Sequence, residues 1–234
     1  MSADEVQVWL VPDERSDRVL AHLLGVLDAG ERQRAAAYRS ADDRRRFVVA
    51  HGAVRHIVAG RTGAAAAEIR FVRGPHGKPE VADPGSCVQV NLSHSGDVAM
   101  VAVTAGRRVG VDVQRIVPGL DTVAMARRYF PAEEAEFVRA AADPVARAAR
   151  FARLWSRKEA LVKAHGGRLT QGLRVPVTPP VAPPGNTPAG DAWPAGYRIT
   201  DVPAPPGYRA AVALSGLADY RVTPRRWASP APPP

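Results

Sequence analysis

VGVDVQ, at residues 109–114, alternates: Val109, Val111 and Val113 fall on one face of an extended strand, and Gly110, Asp112 and Gln114 fall on the other. One face builds core while the other presents polar groups. Upstream, VQVNLSHSGDVAMVAV (88–103) predicts two strands around a turn at Ser95, Gly96 and Asp97, and a second turn at Ala105 to Arg108 delivers the chain into the valine strand. Downstream, Asp143 supplies a helix N-cap and Pro144 suits the first helical turn. The helix they open runs to Gly166 and Gly167, which close it. Phe151, Leu154, Trp155, Leu161 and Val162 form its apolar stripe, and Trp155, Glu159 and Lys163 recur every four residues, so Glu159 and Lys163 edge the buried face together. Lys158 falls inside the stripe, where it snorkels outward, pairs with a buried acid or points into a cleft.

Working outward, Val6, Val8 and Leu10 alternate with Gln7 and Trp9 as a half-buried strand that Pro12 ends. Between Ser16 and Gly60, apolar residues at helical spacing predict two or three helices, with breaks at Gly30 and at Arg39 to Asp43. GPHGKPEV (74–81) has the glycine and proline density of a shaped loop, and ten prolines between Pro176 and Pro206 predict a polyproline-like connection. YRITDV (197–202) and YRAAVALSG (208–216) read as late strands, and residues 226–234 as a disordered tail. Strands and helices therefore occur in a first half, residues 1–108, and again in a second, residues 109–225, joined almost without a linker. The fold class is α+β.

The 234 residues, 46% of them hydrophobic, suffice for one large domain or two packed halves, which excludes a disordered or fibrous class. No apolar run approaches the roughly 18 to 20 residues of a membrane span, and MSADEVQVWLVPDE lacks the basic-then-apolar order of a secretion signal, so the chain reads as soluble and cytoplasmic. A single cysteine, Cys87, rules out an intrachain disulfide and a cysteine zinc cluster, leaving oxygen or histidine to hold any metal. The formal charge of +9 attracts phosphates, nucleic acids, anionic membranes or acidic proteins without choosing among them. Lys78, Lys158 and Lys163 are the lysines among 32 basic residues. Where arginine fills nearly every basic role, a remaining lysine either marks a need for a compact ammonium or is a chance survivor.

Singly, the polar residues have ordinary readings. Asp112 caps a loop or pairs with an arginine, Glu159 and Lys163 form the common exposed helix pair, His94 is a hydrogen-bonded strand histidine and Lys78 is solvated. Their combination and order change that weighing. GPHGKP (74–79), NLSHSG (91–96), VGVDVQ (109–114) and WSRKEALVK (155–163) together resemble phosphopantetheinyl transferases of the Sfp type, over a span from the helix near Arg34 through YRAAVAL.

The resemblance implies a pseudo-twofold pair of strand-and-helix halves with the active site in the cleft between them. It also implies transfer of 4'-phosphopantetheine from coenzyme A to a serine of an acyl or peptidyl carrier protein, releasing 3',5'-ADP. By the same comparison Asp112 and Glu159 bind Mg2+, a hard cation suited to carboxylates, phosphate and water. Glu159 helps deprotonate the serine, and Lys163 steadies the departing nucleotide. Arg46, Lys78, Ser93 and His94, with Arg34, match positions that hold the nucleotide and its phosphates. Where many relatives carry a third acid, this chain has Gln114, whose amide oxygen can coordinate weakly or hold a metal-bound water.

The partners implied are coenzyme A and acidic carrier proteins, drawn in by the positive chain. Neither nucleic acid nor membrane is expected, and two halves in one chain complete a cleft as a monomer. RRYFPAEEAEF (127–137) is the candidate carrier contact, its alternative being a helix that packs Tyr129 and Phe130 inward. A basic nucleic-acid-binding module, a magnesium phosphohydrolase and a catalytically impaired carrier-binding relative are the rival readings. Whether the client belongs to fatty-acid, polyketide or nonribosomal-peptide synthesis is tied to no residue.

Overall fold

A computed structural model describes residues 4–14, 16–74, 77–83, 85–178 and 196–230. After β1 (Glu5–Val11), three helices follow: α1 (Asp17–Val26), α2 (Ala29–Ala37) and α3 (Ala41–Thr62). Each begins at a short polar residue that caps it, Ser16, Asp28 and Ser40 in turn. At α2 the cap is reciprocal: Asp28 Oδ1 accepts from the Glu31 N–H at 2.8 Å and Glu31 Oε2 from the Asp28 N–H at 3.0 Å. GPHGKPEV contributes to a short hairpin, β2 (Phe71–Arg73) with β3 (Pro79–Val81), although Pro75 and His76 lie outside the described residues.

β4 (Val88–Ser95) and β5 (Val98–Ala105) form the expected hairpin, with Ser95 opposite Val98 and Gly96 at φ 56° in the turn. β6 (Val109–Arg115) is the valine strand, followed by α4 (Thr122–Tyr129) and α5 (Ala132–Arg139). The long helix is α6 (Pro144–His165), capped by Asp143 and closed by Gly166 at φ 83°. Then come the short α7 (Leu169–Gly172), β7 (Tyr197–Val202), β8 (Tyr208–Ser215) and β9 (Arg221–Arg226).

The strands make a four-stranded sheet, β4-β5-β1-β9, and a three-stranded sheet, β6-β8-β7. Alternation sorts their side chains into layers. Val11, Val90, Val101 and Val103 face α1 and α3, while Val6, Val8, Met100 and Ala102 face the opposite way and pack on Val109, Val111 and Val113. The far side of the second sheet, with Ala211 and Ala213, packs on Phe151, Leu154, Leu161 and Ala164 of α6. The order is helices, sheet, sheet, helix, an α+β architecture with three stacked cores. Among the described residues, no helix is long and apolar enough to cross a membrane.

Two expectations need correction. Residues 226–234 do not start as a disordered tail: Arg226 ends β9, which pairs in parallel with β1, and Trp227 is 5% exposed, with its N–H bonded to the Leu10 carbonyl. That indole fills the first core, an apolar gain that outweighs the proline-rich surroundings. Residues 231–234 lie outside the described residues. The proline-rich connection is also shorter than Pro176 to Pro206. Val177 is buried with its N–H on Glu134, β7 is regular, and residues 179–195 lie outside the described residues.

Candidate active site

The site is built where β6 crosses α6. Gly110 permits this approach: a Cβ there would lie 2.0 Å from the Ala160 carbonyl oxygen and 2.3 Å from the Ala164 nitrogen. Only a residue without a side chain lets the strand touch the helix backbone. Two residues on, Asp112 points to the same side and meets the helix through Lys163, whose Nζ donates to Asp112 Oδ1 at 2.7 Å and lies 3.9 Å from Glu159 Oε2. Asp112 is 4% exposed, while Glu159 and Lys163 are half-buried. Burial raises the pKa of both carboxyls, against the lowering pull of the Lys163 ammonium, and the Asp112 charge raises that of Glu159 further.

The second oxygen of Asp112, Oδ2, is buried without a hydrogen-bond partner. An orphaned carboxylate oxygen in a protein interior is costly unless something else satisfies it. Oδ2 and the neighbouring Glu159 are hard oxygen donors of the kind a divalent cation takes. The set is small, and among the described residues no group of three or more acidic, histidine or cysteine side chains gathers as a metal cluster. Gln114 lies beyond Asp112 on the same strand face, half-buried, with Nε2 only 3.4 Å from the Arg115 carbonyl, so its amide oxygen stays available.

Ser93 joins this centre from β4, donating to Asp112 Oδ1 at 2.7 Å and accepting from Lys163 Nζ at 3.0 Å. His94, next in sequence, points to the other side of β4 and stands between two cavities. One, of about 560 Å³, is also lined by Arg34, His51, Phe71, Arg73 and Gly77. The other, about 410 Å³, is lined by Tyr38, Asp43, Arg46 and Phe47. Loss of hydration and the nearby Lys163 charge lower the His94 pKa, leaving a neutral ring. Arg34 lies over the Phe47 ring at 5.4 Å, and Arg46 is held by Asp97 and Asp43. Lys78 stands apart. It donates to the Val109 carbonyl at 2.8 Å and lines a separate cavity of about 200 Å³ with Arg108 and His165. Burial lowers its pKa to about 8. Thus Asp112, Glu159, Lys163 and Ser93 converge, His94 links two cavities to them, and Lys78 does not join that group.

Two model matches divide the chain between them: "4'-phosphopantetheinyl transferase, N-terminal" over residues 14–106 and "4'-phosphopantetheinyl transferase superfamily" over residues 108–212. The transferase psf-1 of Bacillus pumilus is 32% identical over 169 residues, 72% of this chain and 70% of its own. The chain belongs to the 4'-phosphopantetheinyl transferase family. Similarity also extends to the transferase HetI of Nostoc, 29% identical over 217 residues, 92% of this chain and 90% of that one. This phosphopantetheinyl transferase accordingly moves phosphopantetheine from coenzyme A to carrier proteins.

Lys158 proves structural in the transferase. It is fully buried, with Nζ 2.6 Å from Glu134 Oε2 and 4.9 Å above the Phe130 ring, and it also donates to the Val175 carbonyl. Glu134 Oε1 accepts from the Val177 and Thr178 N–H groups, so the pair ties the segment after α7 to α5 and α6. Trp155 packs on Phe130 and Phe151. The residues missed in the sequence are Asn91 and Ser95, whose side chains flank Ser93 and accept from β6 N–H groups. Their signal was the polar alternation 91, 93, 95 opposite a valine strand.

Proposed function

We propose that this transferase works with Mg2+ held by Asp112 and Glu159, Gln114 serving as a third, neutral oxygen position, in a cleft between two pseudo-symmetric halves. The observation that carries this reading is the buried, unpartnered Asp112 Oδ2 beside Glu159. The matching pair of 22-residue helices, α3 and α6, each against its own sheet, supports the two-half arrangement. A bound divalent cation would neutralise pyrophosphate oxygens of coenzyme A. The chain's own groups account for the rest. As the serine oxygen bonds to the β-phosphorus and the pyrophosphate bridge breaks, Glu159, kept basic enough by burial, takes the serine proton. The Lys163 ammonium offsets charge on the departing 3',5'-ADP. Arg34, Arg46, His94 and, from its own cavity, Lys78 are assigned to the nucleotide and its phosphates.

The carrier is expected to be acidic, to meet the +9 chain, and to dock near α4, where Arg127 and Arg128 are exposed while Phe130 is buried against Phe151. A monomer in the cytoplasm fits the single-chain site and the one free cysteine, Cys87. The test is the intact mass of apo carrier proteins incubated with the enzyme, coenzyme A and Mg2+. One phosphopantetheine unit is gained with the native enzyme, and the rate falls at least about 100-fold in Asp112→Ala and in Glu159→Ala. Native rates in either variant would sink the assignment of the two carboxylates.

A further inference from the structure

The family resemblance assigns Ser93 to the nucleotide, but its hydroxyl is already fully used. A hydroxyl has one proton and two lone pairs. The proton goes to Asp112 Oδ1 at 2.7 Å, and the lone pairs accept from Lys163 Nζ at 3.0 Å and from the Val113 N–H at 3.3 Å. Only 4% of the residue is exposed. On either side the pattern repeats: Asn91 Oδ1 accepts from the Val111 N–H at 2.9 Å and Ser95 Oγ from the Arg115 N–H at 3.1 Å. β6 is an edge strand of its own sheet, and β4 an edge strand of the other. Three alternate side chains of β4 thus satisfy three alternate N–H groups of β6, which would otherwise be an unpaired edge in the interior.

We infer that Ser93 is a positioning residue, which orients Asp112 and Lys163 and, with Asn91 and Ser95, keeps the two halves in step, and that it makes no contact with a coenzyme A phosphate. By engaging Oδ1, it leaves Oδ2 as the oxygen of Asp112 open to a cation. The inference rests on the reading of Asp112 and Glu159 as the working carboxylates. It assigns Ser93 an effect on turnover with none on nucleotide affinity, whereas a phosphate ligand would do the reverse.

The test compares native enzyme, Ser93→Ala and Ser93→Thr by 3',5'-ADP calorimetry, steady-state transfer and amide hydrogen exchange. Ser93→Ala should bind 3',5'-ADP within about twofold of native, keep KM for coenzyme A, and lose about 100-fold in kcat. Its Val113 amide should exchange at least about tenfold faster. Ser93→Thr, which restores the hydroxyl, should recover both kcat and protection. If Ser93→Ala lacks a cooperative melt, Ser93→Cys, with its weaker donor, carries the same comparison. Nucleotide binding weakened about tenfold or more, with Val113 exchange and kcat unchanged, would overturn the inference while leaving the transferase site intact. Native enzyme that fails to bind 3',5'-ADP at all would remove the underlying site reading, and the inference with it.

Discussion

Glu31 shows how much one side chain can hold in place. It closes the α2 cap, accepts from Arg55 Nε at 2.6 Å and from His51 Nδ1 at 3.1 Å, and is 3% exposed. Arg55, fully buried, passes the connection on to Asp28 and to the carbonyls of Ala66 and Ile69. Burial on its own would raise the Glu31 pKa, but these donors outweigh it and bring it from 4.5 down to about 2. The pKa is depressed in the fold, so the stabilisation is fully present above pH 4.5 and is lost as pH falls from there towards 2. The loss is on the order of 3 kcal/mol. Urea titrations from pH 6 to 2 should show a steep acid limb that flattens in Glu31→Gln; an unchanged limb would remove Glu31 as its source. Sequence gave no hint of this, because GERQR reads as an ordinary solvated helix face and the partners at His51 and Arg55 lie far along the chain. By contrast Asp112, Glu159 and Lys163 were legible: each stands at a fixed step of a short, regular element.

At the scale of elements, β6 and α6 were both anticipated, one by period two and one by its cap and stripe, and what stayed hidden was their contact. Gly110 sits on the polar face of VGVDVQ, yet nothing in that spelling reveals that the Ala160 carbonyl comes within 2.0 Å of where a Cβ would be. Backbone atoms on both sides cannot step aside as a flexible side chain could. Gly110→Ala is expected to cost at least about 3 kcal/mol, read as a lowered urea midpoint. It should also abolish transfer, since lifting β6 off α6 separates Asp112 from Glu159 and Lys163. A variant with native stability and turnover would mean that the crossing is looser than its geometry indicates. Lys158 follows the same lesson: the stripe showed that it must be inside, but the partner, Glu134, came from a helix that periodicity in RRYFPAEEAEF left undecided.

For the whole molecule, α+β was legible because strands and helices alternate twice along the chain. The return of the last strand was not. RVTPRRW has a proline and four arginine or aromatic positions that break alternation, as suits an edge strand, where Pro224 needs no partner for a missing N–H and exposed arginines discourage further pairing. Trp227→Ala should lower stability by about 3–5 kcal/mol. A chain ending at Tyr220 should lose more, since it also gives up the ladder with β1; both are read from denaturant midpoints, and an unaffected truncation would make β9 dispensable. The parallel ladder matches Glu5 with Arg221 through Leu10 with Arg226. A ribosome makes β1 first and β9 nearly last, so during synthesis the opening strand waits with one side bare while the catalytic half is completed. The final dozen residues thereby act as a seal of completeness. A prematurely terminated product carries an open sheet edge and an unfilled core, the features by which chaperones and proteases sort a chain for disposal.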